Sequence, residues 1–248
     1  MIDLLLRKKV IAGALVPSGP VPSNALKFTN VGIIDAYISL SNYDNSPVLY
    51  YSYDGVSGWK WNYSVLSLAV GESVYIWGDN PGGFCASNAY SSFEIWTYDG
   101  FDNARVSCEG SVMSLLGEDI LTIPCNHCFR HLFSSCSALT TAPELPATTL
   151  TEGCYYEMFF NCESLTAAPE LPATTLAKEC YRGMFFQSWS YNTPQLSYIK
   201  CLAEDLSAEG ALENWMYGIG SSGIFVKKAG VEWPTGVSGI PEGWTVFT

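Results

Sequence analysis

Hydrophobic and polar positions follow two different rhythms along this chain, and the change falls near residue 119. Between residues 25 and 118, short apolar and aromatic runs cover 26–28, 33–40, 48–53, 64–70, 73–77 and 93–98. Turn-forming clusters separate them, among them Asn45-Ser46-Pro47, Asp54-Gly55, Asp79-Asn80-Pro81-Gly82-Gly83 and Asp99-Gly100. Short aromatic and β-branched runs bounded by Gly, Pro, Asn and Asp predict an antiparallel β-sandwich of immunoglobulin type over 25–118.

From 119 to 203 the apolar positions recur at helical spacing instead. Cys154, Met158 and Cys162 stand four apart, with Phe159 beside Met158. The set returns as Cys128, Leu132, Cys136 and as Cys180, Met184, with Phe133 and Phe185 in register. That spacing predicts one face of a short helix. Residues 165–171 then read as an extended segment, which Pro172 ends. The whole unit repeats: Thr141-Ala142-Pro143-Glu144-Leu145-Pro146-Ala147-Thr148-Thr149-Leu150 returns 26 residues later as Ala167-Ala168-Pro169-Glu170-Leu171-Pro172-Ala173-Thr174-Thr175-Leu176. One such unit cannot bury its own apolar face, so neighbouring units must stack. The third unit breaks step through an insertion around 187–194, as a terminal unit should. Residues 204–248 are expected to cap the array. Residues 1–24 read as an extended arm and linker, with apolar Ile2, Leu4, Leu5 and Leu6 at its tip as candidate anchoring residues.

The stretch Met158-Phe159-Phe160-Asn161-Cys162-Glu163-Ser164-Leu165-Thr166-Ala167-Ala168-Pro169-Glu170-Leu171-Pro172-Ala173-Thr174-Thr175-Leu176, closing with Cys180-Tyr181, resembles the BspA-like leucine-rich repeat family. Flanking segments 110–116, 196–202, 223–228 and 238–246 are similar to that family's usual entry and exit segments. Such repeats are found in surface proteins of Bacteroides-type gut bacteria and in their phages and prophages. The resemblance implies surface presentation, adhesion or protein contact, and it carries over no catalytic residue. The fold expected is therefore β-rich α+β: an arm, a sandwich, a short repeat array and a β cap.

Composition narrows the function classes. Charged residues make up only 15% of the 248 residues and aromatics 14%, which marks a folded chain with aromatic surface to spare. A formal net charge of −12 repels phosphate backbones, so nucleic acid is not an expected partner. Residues 1–10 place their apolar run ahead of the basic cluster, the reverse of a secretory leader, and no apolar run is long enough to insert in a membrane.

The chemistry-bearing residues point away from catalysis. Cys125-Asn126-His127-Cys128, with His131 nearby, is a lone C-x-x-C, and a structural zinc site uses four ligands. Cys128 matches Cys154 and Cys180, so a buried thiol ladder is the plainer reading. Pairing of Cys85, Cys108, Cys125 and Cys201 stays open. Both histidines lie at the repeat start, and no nucleophile-elbow or phosphate-loop motif occurs. Glu144 and Glu170 are repeat-equivalent, while Asp44-Asn45 and 99–103 are acidic turns better read as turns than as calcium sites. No enzyme activity and no cofactor are expected. Candidate ligand contacts are aromatic: Trp59 and Trp61, alternating on one strand, and Trp189 and Tyr191 on the insertion. For these four, core packing and ligand contact both remain open.

These readings converge on a virion structural protein, a head or tail fibre with an adhesive repeat tip. The expected partners are a capsid or tail protein through the arm, and a host surface glycan or protein at the tip. The expected assembly is a homotrimer. The alternative is a bacterial cell-surface adhesin or glycan-binding protein.

Overall fold

The computed structural model describes residues 19–43, 46–85, 90–97, 104–117, 120–188 and 195–248. The chain is β-rich. Among the described residues the helical element is one 3-10 turn, Val112–Leu115, capped by the Ser111 hydroxyl.

Two sheets face each other in the N-terminal half. One is built from β1 (Leu26–Asn30), β3 (Leu49–Ser52), β4 (Trp59–Lys60), β6 (Ser73–Gly78) and β8 (Val106–Glu109), in the order β4-β3-β6-β1-β8, all antiparallel. The other holds β2 (Ala36–Tyr43), β5 (Leu66–Leu68) and β7 (Tyr90–Trp96), in the order β5-β2-β7. Alternation in β1 sends Leu26 and Phe28 inward, and Phe28 meets Phe93 of the opposite sheet at 5.1 Å.

The first sheet does not stop at the end of the sandwich. β9 (Leu139–Thr141), from the repeat segment, pairs with β8 in parallel. Beyond it Ala167 bridges Tyr198, and β10 (Tyr198–Lys200), β11 (Ile224–Val226) and β12 (Thr245–Phe247) form a parallel sheet in that order. One continuous core runs from Leu26 to Trp244.

The helix expected in each repeat is absent, and its place is taken by a coil of tight turns. Within a coil, alternate N–H groups bond three residues back, at 2.9–3.3 Å (Arg130 to His127, Leu132 to Phe129, Ser134 to His131, Cys136 to Phe133). The intervening N–H groups reach across to the next coil at 2.7–3.1 Å: Phe129 to Cys154, His131 to Tyr156, Phe133 to Met158. Every fourth residue is left-handed, His127, His131 and Ser135 in the first coil and Gly153, Glu157 and Asn161 in the second. Each of these sits at the third position of a turn, as type II turns require. An apolar residue every fourth position fits this ribbon as well as it fits an α-helix of 3.6 residues per turn, so periodicity alone selected the wrong element. What separates the two is the destination of the backbone hydrogen bonds, and here half of the N–H groups serve a neighbouring coil.

The stack also continues one coil further than the repeat motif reaches. Coils occupy 127–136, 151–162, 177–187 and 208–217, and the bonds from Glu179, Tyr181, Gly183, Phe185 and Gln187 land on Glu209, Ala211, Glu213, Trp215 and Tyr217. The segment expected as a pure cap therefore contributes the fourth coil.

Two aromatic columns run through the stack. Phe133, Phe159 and Phe185 lie 5.5 and 5.7 Å apart and within 7° of parallel. Phe129, Tyr155 and Tyr181 lie 6.0 and 6.1 Å apart. Both columns end on Trp215, which is fully buried. Offset stacks of this kind contribute about 0.5–1.5 kcal/mol per pair beyond the area they bury.

Candidate binding site

The expected ligand residues separate when placed on the fold. Trp61 is a core residue: it is 2% exposed, its ring stacks on Phe93 and its indole N–H donates to the Ser64 carbonyl at 2.8 Å. Trp59 is half-buried on β4 and packs against the same core. Trp189, Tyr191, the arm residues Ile2, Leu4, Leu5 and Leu6, and the acidic turns at 44–45 and 99–103 lie outside the described residues.

The cysteines are all free thiols, including Cys85, Cys108, Cys125 and Cys201. Cys128, Cys154 and Cys180 are buried one above another at the same coil position. Cys136 donates to the Phe93 carbonyl at 3.0 Å and Cys162 to the Phe133 carbonyl at 3.1 Å. Cys125 is the partly exposed member, 3.4 Å from the Cys85 carbonyl. Its hydrogen bond with Cys128 draws the Cys125 thiol down against the effect of burial, whereas burial pushes Cys85 up to about 12. No group of three or more His, Cys, Asp or Glu among the described residues is arranged to hold a metal ion.

Of the repeat-equivalent carboxylates, Glu170 belongs to a series of ion pairs along the stack. Glu170 pairs with Lys200 of β10 at 2.9 Å. Glu152–Lys178, Glu213–Arg182 and Glu204–Lys228 repeat the device, whereas Glu144 is exposed and only its backbone bridges Ser111. On one flank Tyr156 lies between two guanidinium groups, Arg130 at 5.0 Å and Arg182 at 5.7 Å from its ring centre. Beside it His131 faces Glu157 at 3.4 Å, and burial together with Arg130 holds the imidazole down to about 4.

A concave feature lies at the far end of the stack, in a region sequence reasoning treated as a cap. After coil 4 the chain makes β11, turns through 231–243 and returns as β12. The loop is fastened to coil 4: Met216 N–H donates to the Val237 carbonyl, Asn214 N–H to the Ser238 hydroxyl, and the Trp215 indole to the Gly239 carbonyl at 2.8 Å. Gly239 has to be glycine there, because a Cβ would stand 2.0 Å from the Pro234 carbonyl oxygen. Trp233 continues the aromatic column, stacked 5.8 Å from Trp215 and edge-on to Phe225 at 5.0 Å.

Between this loop and β11–β12 is an open cup of about 390 Å³. Trp233 and Trp244 form its aromatic lining, with Ile240, and Lys227, Glu232 and Glu242 supply its charged groups. Trp244 lies flat on Gly223, where a Cβ would come within 2.7 Å of its ring, and its indole donates to the Gly220 carbonyl. The Lys227 ammonium donates to the Val231 carbonyl. The Trp233 indole nitrogen is buried and has no hydrogen-bond partner in the chain. Glu232 and Glu242 are exposed and bring two acceptor carboxylates to the lining of the cup.

Comparison with protein-family models, curated proteins and solved structures finds no match to this chain. Among the described residues no helix is long and apolar enough to cross a membrane.

Proposed function

We propose that this protein is a non-enzymatic virion appendage, a head or tail fibre component whose coil stack presents a contact tip. The observation that carries the reading is the polarity of the stack. Its first coil is sealed by the sandwich, and its last coil ends in the Trp233–Trp244 cup. A base joined to one end and a shaped surface at the other is the layout of a presenting module. The immunoglobulin-type and BspA-like leucine-rich repeat assignments belong to the same proposal. They are supported by the two facing sheets and by a 26-residue coil with one parallel strand position per turn of the stack. In this reading residues 1–24 anchor to a capsid or tail protein and three copies assemble.

Quantitative mass spectrometry of purified particles from a producing culture tests the proposal. The chain is expected at a fixed copy number per particle, a multiple of three. Its absence from particles, with recovery on the outer surface of intact cells, would replace the appendage by a cell-surface adhesin.

A further inference from the structure

We propose that Cys125 and Cys128 form a thiol–disulfide exchange site, in which a low-molecular-weight disulfide oxidises the pair to an internal bond across the turn that opens the coil stack. The chemistry stands on that turn and holds whichever surface displays the chain.

Three observations bring the pair together. Cys125 and Cys128 are the outer residues of a turn whose middle residues are Asn126 and His127, and His127 at φ +56° takes its third position. The outer Cα atoms of such a turn lie within about 7 Å, and a disulfide spans about 4.4–6.8 Å. Both sulfurs also lie against the same two residues of the sandwich. Cys128 Sγ accepts from the Phe84 N–H at 3.4 Å, and Cys125 Sγ lies 3.4 Å from the Cys85 carbonyl oxygen. Gly83 leaves the room, since a Cβ there would stand 2.2 Å from the Cys125 sulfur. The two thiols hydrogen-bond each other. Lastly, they differ in access: Cys125 is half-buried and Cys128 is fully buried. Thiol exchange needs one sulfur that meets the reagent and a second beside it that completes the bond.

The other cysteines lack this arrangement. Cys85 is the nearest rival, but its carbonyl and not its sulfur meets Cys125, and its Sγ accepts from the Ser91 N–H at 3.3 Å. Cys136 and Cys162 donate to main-chain carbonyls inside the core. Cys108, Cys154, Cys180 and Cys201 are buried away from any reagent.

The exchange balances in two steps. The Cys125 thiolate attacks one sulfur of the reagent, whose S–S bond breaks and releases one thiolate. Cys128 gives up its proton and attacks the Cys125 sulfur, which expels the second thiolate. One S–S bond forms in the chain and one is lost from the reagent. Two electrons pass to the reagent, which leaves as two thiols with the two protons. The new bond ties the first rung of the thiol column to the segment that leads into the stack.

The test uses the folded full chain in excess oxidised glutathione at about pH 8, where thiolates form. Acid quenching, alkylation in denaturant and tandem mass spectrometry then map each thiol. A loss of two hydrogen masses is expected between Cys125 and Cys128, with two of the nine thiols protected from alkylation and both restored by dithiothreitol. Cys128→Ser is expected to stop at a mixed disulfide of glutathione with Cys125. Cys125→Ser should leave every remaining thiol open to alkylation, and Cys85→Ser should change nothing. A wild-type chain that keeps all its thiols, or halts at the mixed disulfide, would overturn the inference, as would a bond from Cys125 to Cys85. If Cys128→Ser does not fold, the wild-type map and Cys85→Ser decide.

Discussion

The two ends of the coil stack face the same physical problem and solve it differently. A stack of identical layers leaves unpaired backbone groups and a naked apolar face at each end. At the N-terminal end the sandwich supplies a counterfeit coil. Phe133 makes three contacts with the coil below it: its N–H donates to Met158, its carbonyl accepts from Cys162 and its ring stacks on Phe159. Phe93, on an antiparallel strand of another sheet, makes the matching three: its N–H donates to Leu132, its carbonyl accepts from Cys136 and its ring stacks on Phe133 at 5.4 Å. Phe84 extends the second column, stacked 6.3 Å from Phe129, and its N–H donates to the Cys128 thiol. At the C-terminal end no strand imitates a coil. A loop pairs two backbone donors, and Trp233 covers Trp215 while staying half-exposed. The lesson is that one end is made continuous with its neighbour, and the other is closed by a loop that leaves part of Trp233 exposed.

The largest expected effect tests that contrast directly. Phe93→Ala should destabilise the protein by about 3–5 kcal/mol, because it removes the ring on which Phe28, Trp61 and Phe133 converge. Trp233→Ala, at the open end, should cost no more than about half of that. Urea denaturation followed by fluorescence should show one transition in the wild type, since the core is continuous. Separate transitions for sandwich and stack would break the comparison, because the first coil would not then depend on Phe93.

A second prediction concerns the left-handed column. Gly153, at φ +58°, lies under the His127 ring, and a Cβ there would come 2.2 Å from Nδ1. Gly153→Ala should cost about 1–3 kcal/mol through strain and overlap. His127→Ala in the same chain should recover the overlap part only. A double-mutant cycle with no coupling would show that the coils do not pack by this ring-over-glycine contact.

The pH dependence has a definite sign. His131 is held down to about 4 in the folded chain against an ordinary value of about 6.5. Between those values the unfolded chain binds the proton more readily, so stability is lost as pH falls through that window. Glu157, pushed up by burial, contributes the opposite slope nearer its own range. The net effect above that range is a lower denaturation midpoint at pH 6 than at pH 7, which His131→Gln should flatten. The smallest effect leaves stability alone. Iodoacetamide at neutral pH should label Cys125 first, with a pH midpoint below that of an ordinary thiol, while the buried rungs stay unlabelled. Early labelling of Cys128 would show that the first coil opens toward its sandwich partner.

Much of this architecture was legible in the chain, and the gaps have physical causes. The cysteine and phenylalanine spacing displayed the stacked core, because rungs that touch their own copies favour one residue type. The turn ribbon was hidden because its left-handed positions hold His, Gly, Glu, Ser and Asn, linked by conformation and not by chemistry. The fourth coil was hidden because Ala211, Asn214 and Trp215 replace the consensus residues and an irregular insertion precedes them. β8 was missed because four residues with one small thiol give little alternation to read. The cup draws its lining from 227–246 through a return of the chain that no local pattern announces.

The bonding between coils has a consequence for how the protein can vary. Each middle coil receives hydrogen bonds from one neighbour and gives the same set to the other, so its top and bottom are interchangeable with those of its copies. Duplicating one 26-residue segment would therefore add a layer without asking either end to change. Hydrogen-bonded strands lie about 4.8 Å apart, so each added copy would carry the cup that much further from the sandwich. Reach becomes a dial, set by counting near-identical segments and turned without redesigning the base or the tip.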